Sequence, residues 1–462
     1  VVVMDKKQDS SRELFNEVKE MMDANKLIDL REMLEEYHTM DIYDILLELG
    51  NNDQVKLFEI LPLDTAADIL EECEADFFIK IVSQIDKEHA KRVFDEMSLG
   101  DLSDILREMD DDEREKILDI VSKADELELR ELLAYVDETS GSTMKKGYIT
   151  VNKNLNVSQA IRHIRSESVE ADSIYYIYVV DNEQKLVGVL SLRDLFISKD
   201  SSTMEDIMVE NVKSVKDNED REEAVKMVSK YNLVAIPVVD EEGVLKGIIT
   251  VDDILDVMEE EASEDMYKFA GSSEHERDVA ENENSTLFEQ VISCVRGRLG
   301  WLVVTLLLSF VTAYIFMKFQ GLMSTKMYEL IFFVPMILTI GGNVATQSSA
   351  VTVINLIDND KKVDFQTIAK ELVSATINGL VLVAIASIVL LLLGGVKMSI
   401  LIIAVSILIN VLLGAAFGTL MPIVINKLEA DPSVVTSPVI TVIMDVIGVL
   451  VYFLIISAFI GL

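Results

Sequence analysis

The chain is poor in the residues that build reactive chemistry. Its two cysteines, Cys73 and Cys294, are too few and too far apart for a disulfide framework or a thiolate zinc site, and read as reduced packing residues. Four histidines, His38, His89, His163 and His275, are scattered, with no nucleophile–base spacing beside them and no phosphate-binding glycine loop. An enzyme is therefore the weakest expectation. Basic residues are scarce as well, 41 against 80 acidic, for a net charge of −39. Such a surface repels nucleic acid and favours cations as partners. No secretory signal opens the chain, and the valines before Met4 read as added residues.

What is abundant is unevenly placed. All but eight acidic and seven basic residues precede Leu299, so a very acidic soluble part is followed by a nearly uncharged, apolar one. Five apolar runs, Leu299–Met317, Tyr328–Ile357, Leu372–Gly395, Ser399–Ile425 and Val439–Gly461, each reach the length of about 20 residues that crosses a bilayer. Arg296 and Arg298 precede the first run, and Lys361, Lys362 and Lys370 stand between the second and third. Lys318 and Lys326 lie between the first and second, and Lys397 between the third and fourth. This modest bias places the N-terminal part in the cytoplasm and the C-terminus outside.

Polar groups interrupt the apolar runs. The second reads "PMILTIGGNVATQSSAVTVINL" from Pro335, with Gly341, Gly342, Asn343, Thr346, Gln347, Ser348 and Ser349 at membrane depth. Polar backbone survives there where it lines a cavity or is covered by protein. The fourth run carries Asn410 and Pro422, and the fifth Ser437, Thr441 and Asp445. Asp445 is the only ionisable residue deep within any run, and a carboxylate there marks an ion or proton path.

Two repeats organise the soluble part. "DIL" recurs at Asp44, Asp68 and Asp104, and small apolar clusters such as Leu57-Phe58, Ile81-Val82, Val93-Phe94 and Ile117-Leu118 fill a twelve-residue beat. Two beats make a helix pair suited to a superhelical stack. Further on, "VVDNEQKLVGVLSLRDL" from Val179 returns as "VVDEEGVLKGIITVDDI" from Val238, with Asp181/Asp240, Gly188/Gly247 and Asp194/Asp253 each 59 apart. "MKKGYITV" from Met144 pairs with "MVENVKSV" from Met208 at 64. Each copy predicts strand, helix, strand, turn, strand, helix. The second runs into an acidic helix on which Asp253, Asp256, Glu260 and Glu264 share a face, where like charges repel unless a cation bridges them. "LFEQVISCVRGR" (Leu287–Arg298) follows as an amphipathic connecting helix.

The second repeat resembles a tandem CBS-domain pair, a module that often dimerises and holds adenine nucleotides. Ser191–Asp194 and Thr250–Asp253 match its Ser/Thr-x-x-Asp ribose contact. Acidic helical repeat, CBS pair, connecting helix and five runs with "GGN" in the second together resemble the MgtE family of magnesium channels. The expected fold is multidomain: an all-α superhelical repeat domain (1–136), an α/β tandem CBS pair (137–202 and 203–265), a connecting or plug helix (266–298) and an α-helical transmembrane domain of five spans (299–462).

The resemblance implies a homodimer in the bacterial cell membrane with one central pore. Asp445 matches the pore aspartate, lined by Asn343, Gly341, Gly342 and Thr441. It implies cytoplasmic Mg²⁺ sensing by Asp68, Asp101, Asp104, Asp220, Glu222, Asp253, Asp256, Glu261, Glu264 and Asp265, with bridging ions holding the plug helices closed. It also implies ATP as a regulatory ligand on Tyr176, Arg193, Asp194 and Asp253.

The chain departs from the family pattern at several points. Val344-Ala345-Thr346-Gln347 follows "GGN" where a glycine and an Asn–Gln pair are common. Asn355 and Asp358 stand near a usual arginine, and Ser437 replaces an asparagine. Gly100 and Asn232 stand where sensor acids are expected. Two rival readings are a divalent-cation transporter (Mn²⁺, Co²⁺ or Mg²⁺) coupled to Na⁺ or H⁺, and a membrane-tethered nucleotide sensor.

The chemistry of magnesium suits a lone intramembrane carboxylate. The ion keeps its water shell and takes one or two carboxylates. Two Asp445 side chains on a dimer axis would repel one another, and a hydrated divalent cation relieves that repulsion.

Overall fold

The computed structural model describes residues 2–167, 175–273, 275–276, 279, 286–319, 328–358, 365–393, 397–428, 430–434 and 436–460. Lys326, Lys361, Lys362 and part of the connecting segment lie outside the described residues. The chain divides into two compact units, Val1–Glu259 and Glu260–Leu462.

In the first unit an opening helix, Val2–Asp23, leads into helices that begin at Leu27, Thr39, Asn51, Leu63, Ala75, Lys87, Leu99, Asp111 and Lys123, twelve residues from start to start. The turns enforce this beat. His38, Asp86, Ser98, Asp110 and Ser122 each precede a helix and accept a hydrogen bond from a backbone N–H in its first turn, satisfying donors the helix leaves open. At the sixth and seventh places after successive starts lie buried pairs: Ile45/Leu46, Leu57/Phe58, Ile69/Leu70, Ile81/Val82, Val93/Phe94, Ile105/Leu106 and Ile117/Leu118. Helices this short do not hold alone. Thr39–Glu48 packs on Leu63–Glu71, and that helix on Lys87–Phe94, so the stacking repeat is a pair of beats.

Two small sheets follow. β1 (Ile149–Asn152) runs parallel to β2 (Tyr176–Val180), which is antiparallel to β3 (Leu186–Ser191). β4 (Val215–Lys216), β5 (Ala235–Val239) and β6 (Leu245–Thr250) repeat that order and those directions. Even the irregularities coincide, at Val179/Val180 and Val238/Val239.

The segments leading into the two copies cross over. Lys145 bridges to Ile248 on β6, its N–H 2.8 Å from the Ile248 carbonyl, while Val209 bridges to Val189 on β3. Glycine is required at the crossings, because a β-carbon at Gly247 would overlap the Met144 side chain and one at Gly188 the Met208 side chain. The last helix, Val251–Ala270, continues unbroken past the expected boundary at 265.

Among its described residues the second unit holds five helices long and apolar enough to cross a membrane. They are Leu287–Lys318, Val334–Asp358 (preceded by a 3₁₀ turn, Tyr328–Phe333), Phe365–Leu392, Lys397–Lys427 and Ser437–Ile460. The first is continuous through residue 299, so the amphipathic stretch from Leu287 and the first apolar run form one helix. The fourth span packs on the second, third and fifth, and the first on the fifth. Gly414 and Gly418, one turn apart on the fourth span, let the second span approach to backbone contact, a packing mode of small residues in membranes. Phe453 of the fifth span stacks on Phe319 at 5.1 Å and meets Phe316 edge-on at 5.3 Å. The buried Tyr452 hydroxyl donates to the Leu330 carbonyl at 2.7 Å.

Candidate cation and nucleotide sites

Of the second span's glycines, Gly342 faces Thr441 of the fifth span and Gly341 faces Asn410 and Met444. Gly341 and Gly342 are buried and Asn343 is exposed. A β-carbon at 342 would stand 3.0 Å from Thr441 Cγ2, and one at 341 would stand 3.5 Å from Asn410 Oδ1 and 3.7 Å from Met444 Cε. The Thr441 hydroxyl donates to the Ser437 carbonyl at 3.0 Å and lies 3.4 Å from the Thr346 hydroxyl. Asp445 follows Thr441 by one helical turn, on the same face. It is half-buried, and among the described residues its carboxylate has no hydrogen-bond or ion-pair partner.

Asn410 is fully buried beside this stretch. Its amide donates to the Ser406 carbonyl at 3.0 Å, while its Oδ1 has no partner among the described residues and closes on Gly448 of the fifth span. Both Asn410 and Asp445 stand out in the sequence as polar residues in apolar runs. Only the fold shows that they border the same helix crossing.

The sensor candidates divide among several places. Among the described residues no three His, Cys, Asp or Glu side chains form a group that could hold a metal ion. Asp220 caps the helix Arg221–Tyr231, accepting from the Glu222 N–H at 2.8 Å, and Glu222 pairs with Lys226 at 2.9 Å. Asp68 is exposed and accepts from the Thr39 hydroxyl at 3.4 Å. Glu264 pairs with Lys268 at 2.5 Å, and Lys268 reaches Asp431 at 3.4 Å. Asp256 is exposed, and Glu261 and Asp265 are half-buried.

Asp101, Asp104 and Asp253 do converge, and at their centre stands a lysine. The buried Lys145 ammonium lies 2.6 Å from Asp101 and 2.8 Å from Asp253. Burial opposes its charge, yet Asp253 and Asp101 hold its pKa above the ordinary lysine value. Burial, joined by the repulsion of Asp101 and Asp253, pushes Asp104 up to about 8. Glu71 is pushed up to about 7 by burial, against its bond from the Ser98 N–H, with Asp101 and Asp68 adding to the rise. Glu72 is raised too, by burial and by Asp101 and Asp256.

Sequence reasoning missed Lys145, Glu71 and Glu72. Nothing in the sequence singled out the lysine, since Lys6-Lys7 is a second such pair in the soluble part.

The nucleotide candidates gather at the strand ends of the first copy. Tyr176 on β2 is directly opposite Ser191 on β3. The Ser191 hydroxyl donates to Asp194 Oδ2 at 2.6 Å and accepts from the Asp194 N–H, a reciprocal cap on the helix Leu192–Ile197, with Arg193 exposed beside it. In the second copy Asp253 is more fully engaged. Its Oδ2 accepts from the Thr250 hydroxyl at 2.5 Å, and its Oδ1 takes the Lys145 ammonium.

Comparison with known proteins places these features. Residues 334–455 match the family described as a divalent cation transporter, 37–138 the MgtE intracellular N domain, and 141–198 and 204–260 the CBS domain. Over 437 residues the chain is 30% identical to the magnesium transporter MgtE of Bacillus subtilis, covering 94% of this chain and 95% of the relative. Over 435 residues it is 30% identical to that of Thermus thermophilus, covering 92% and 93%. The cytosolic domain of the Mg²⁺ channel MgtE, solved in complex with ATP, is 32% identical with a TM-score of 0.50, covering 52% of this chain and 98% of that one. The soluble part of a magnesium transporter is 31% identical with a TM-score of 0.51, covering 55% and 99%. Matched along nearly its whole length, the chain belongs to the MgtE family of magnesium transporters.

Proposed function

We propose that this chain transports Mg²⁺ as a homodimeric channel whose pore carboxylate is Asp445. The observation that carries the reading is the half-buried Asp445 side chain, without a partner among the described residues, one turn from Thr441, which packs against Gly342 of the second span. A carboxylate at that depth costs several kcal/mol unless water, a partner or an ion meets it. On a dimer axis two of them bind a hydrated Mg²⁺ without stripping it, with Asn343, Gly341, Gly342 and Thr441 as its neighbours. Relatives named as magnesium transporters support the choice of ion.

In this reading the acidic part lies in the cytoplasm and the C-terminus outside. The working parts are 1–136, the CBS copies 137–202 and 203–265, the connecting segment 266–298 and the pore domain 299–462. Cytoplasmic Mg²⁺ bridges acidic groups drawn from Asp68, Asp101, Asp104, Asp220, Glu222, Asp253, Asp256, Glu261, Glu264 and Asp265, and the connecting segment closes the pore. ATP is a regulatory ligand at Tyr176, Arg193 and Asp194, while Asp253, expected with them, is taken up by Thr250 and Lys145; the relative's cytosolic domain in complex with ATP supports this.

The test is Mg²⁺ flux through the purified protein in liposomes. Asp445→Ala abolishes it while the protein stays folded; near-normal flux by this variant sinks the pore role. Flux that requires a Na⁺ or H⁺ gradient sinks the channel in favour of a coupled carrier.

A further inference from the structure

We propose that Lys145 is a built-in counter-cation that docks the helical repeat onto the second CBS copy, so that this seam stays closed without a divalent ion. The inference takes Asp101 and Asp253 out of the ion-bridged set named above and does not depend on Mg²⁺ being transported.

Three observations carry it. Lys145 bridges two carboxylates from different parts of the fold, Asp101 on the repeat helix Leu99–Glu108 and Asp253 on the helix after β6, at 2.6 and 2.8 Å. Its backbone is fixed by reciprocal hydrogen bonds with Ile248 at 2.8 and 2.9 Å, so the ammonium is delivered from a rigid edge. Its stem lies against Gly100, where a β-carbon would overlap Lys145 Cγ.

The third point joins two oddities of the sequence. Gly100 stands where a sensor acid is expected, and the lysine stem occupies the space which that acid's side chain would take. Residue 100 contributes no carboxylate, and Lys145 contributes a cation at the same spot. The charge that a bridging ion would supply is already covalently present.

The energetics agree. An ion pair as buried as this one is costly to break from one side, because the partner charge is left uncompensated. Here loss of the lysine strands the carboxylates of Asp101 and Asp253, whose repulsion already helps push Asp104 upward.

Amine footprinting of the intact, detergent-solubilised protein tests the proposal without a variant. In chelator and in millimolar Mg²⁺ alike, Lys145 should be acylated at least about tenfold more slowly than the exposed Lys199, since its reaction awaits a local opening. Labelling as fast as Lys199 in chelator, or labelling that changes about tenfold with Mg²⁺, overturns it.

Hydrogen exchange of Lys145→Met gives the second arm. The amides of Leu99–Glu108 should exchange at least about tenfold faster than wild type in chelator, with β5 and β6 unchanged. Adding Asp101→Asn should restore part of the protection by removing the stranded charge. Wild-type protection of Leu99–Glu108 in Lys145→Met also overturns the proposal. If β5 and β6 lose protection too, the variant has unfolded, and the footprinting result alone decides.

Discussion

Gly418 of the fourth span lies against the Ala345 carbonyl of the second so closely that a β-carbon at 418 would overlap it. Backbone contact of this kind fixes the second span, and with it the stretch Gly341-Gly342-Asn343, against the helix that also carries Asn410.

Gly418→Val should therefore destabilise the membrane unit by at least about 1–3 kcal/mol, the range for overpacking a filled contact. Gly300→Ala on the first span is the control, because nothing lies within 4 Å of its added carbon. Thermal unfolding in detergent should show a lower midpoint for the first variant and none for the second. Equal midpoints would mean that the second and fourth spans do not hold this close crossing.

Asn410→Leu tests the polar residue beside Gly341. Its Oδ1 closes on Gly448, where an added β-carbon would stand 2.7 Å away. Leucine has the same branched outline but puts larger methyl groups where the oxygen and amide sit and gives up the bond to Ser406, so Mg²⁺ flux should fall along with thermal stability. Asn410→Asp, which keeps the shape, should retain the fold. A Leu variant with full flux and wild-type melting would show that the crossing tolerates volume.

The acidic seam predicts a pH dependence with a definite sign. Glu71 and Asp104 titrate in the fold near 7 and 8, whereas an unfolded carboxylate titrates near 4. Between about pH 4 and pH 8 the folded state thus holds more protons than the unfolded one, and stability falls as pH rises. Below that window both states are protonated and the effect is fully relieved. Asp104→Asn should remove up to one proton's share of the slope, about 1.4 kcal/mol per pH unit. Hydrogen exchange of Leu99–Glu108, corrected for the intrinsic rate, measures it; an unchanged slope refutes the assignment.

Nucleotide binding should depend on one copy of the CBS pair more than the other. Asp253 has one carboxylate oxygen on Thr250 and the other on Lys145, so Asp253→Ala should leave ATP affinity within about threefold, under 1 kcal/mol. Asp194→Ala should weaken it by at least about tenfold, the loss of a charged hydrogen bond. Calorimetry with ATP separates the two, and equal losses would put nucleotide in both copies.

Gating by Mg²⁺ should rest on the far end of the acidic helix. Neutralising Glu261, Glu264 and Asp265 together should abolish inhibition of flux by Mg²⁺ on the side of the acidic domains. If the triple variant is inhibited as strongly as wild type, those residues are a solvated face.

Much of this was readable in advance, for identifiable reasons. The twelve-residue beat survives in sequence because each turn needs a cap and each short helix must bury the same two positions, as Leu57/Phe58 and Val93/Phe94 do. The sheets were readable because Asp181/Asp240 and Gly188/Gly247 repeat at one spacing. Asp445 was conspicuous because hydrocarbon tolerates so few charges. The lysine at the seam was not readable. Alignment pairs Met144 with Met208 as equivalents but does not say that each docks on the other copy's sheet. Only that crossing carries Lys145 to Asp253, and only the stacking of the repeats brings Asp101 to meet it.

The same crossing restricts how such a protein can be inherited in pieces. With Lys145 on β6 and Val209 on β3, a cut between the two copies strips a lining segment from both sheets and leaves each with a raw edge. Neither copy is a transferable cassette. Recombination that preserves the fold has to move the two together, with the residues ahead of Met144 as part of the parcel.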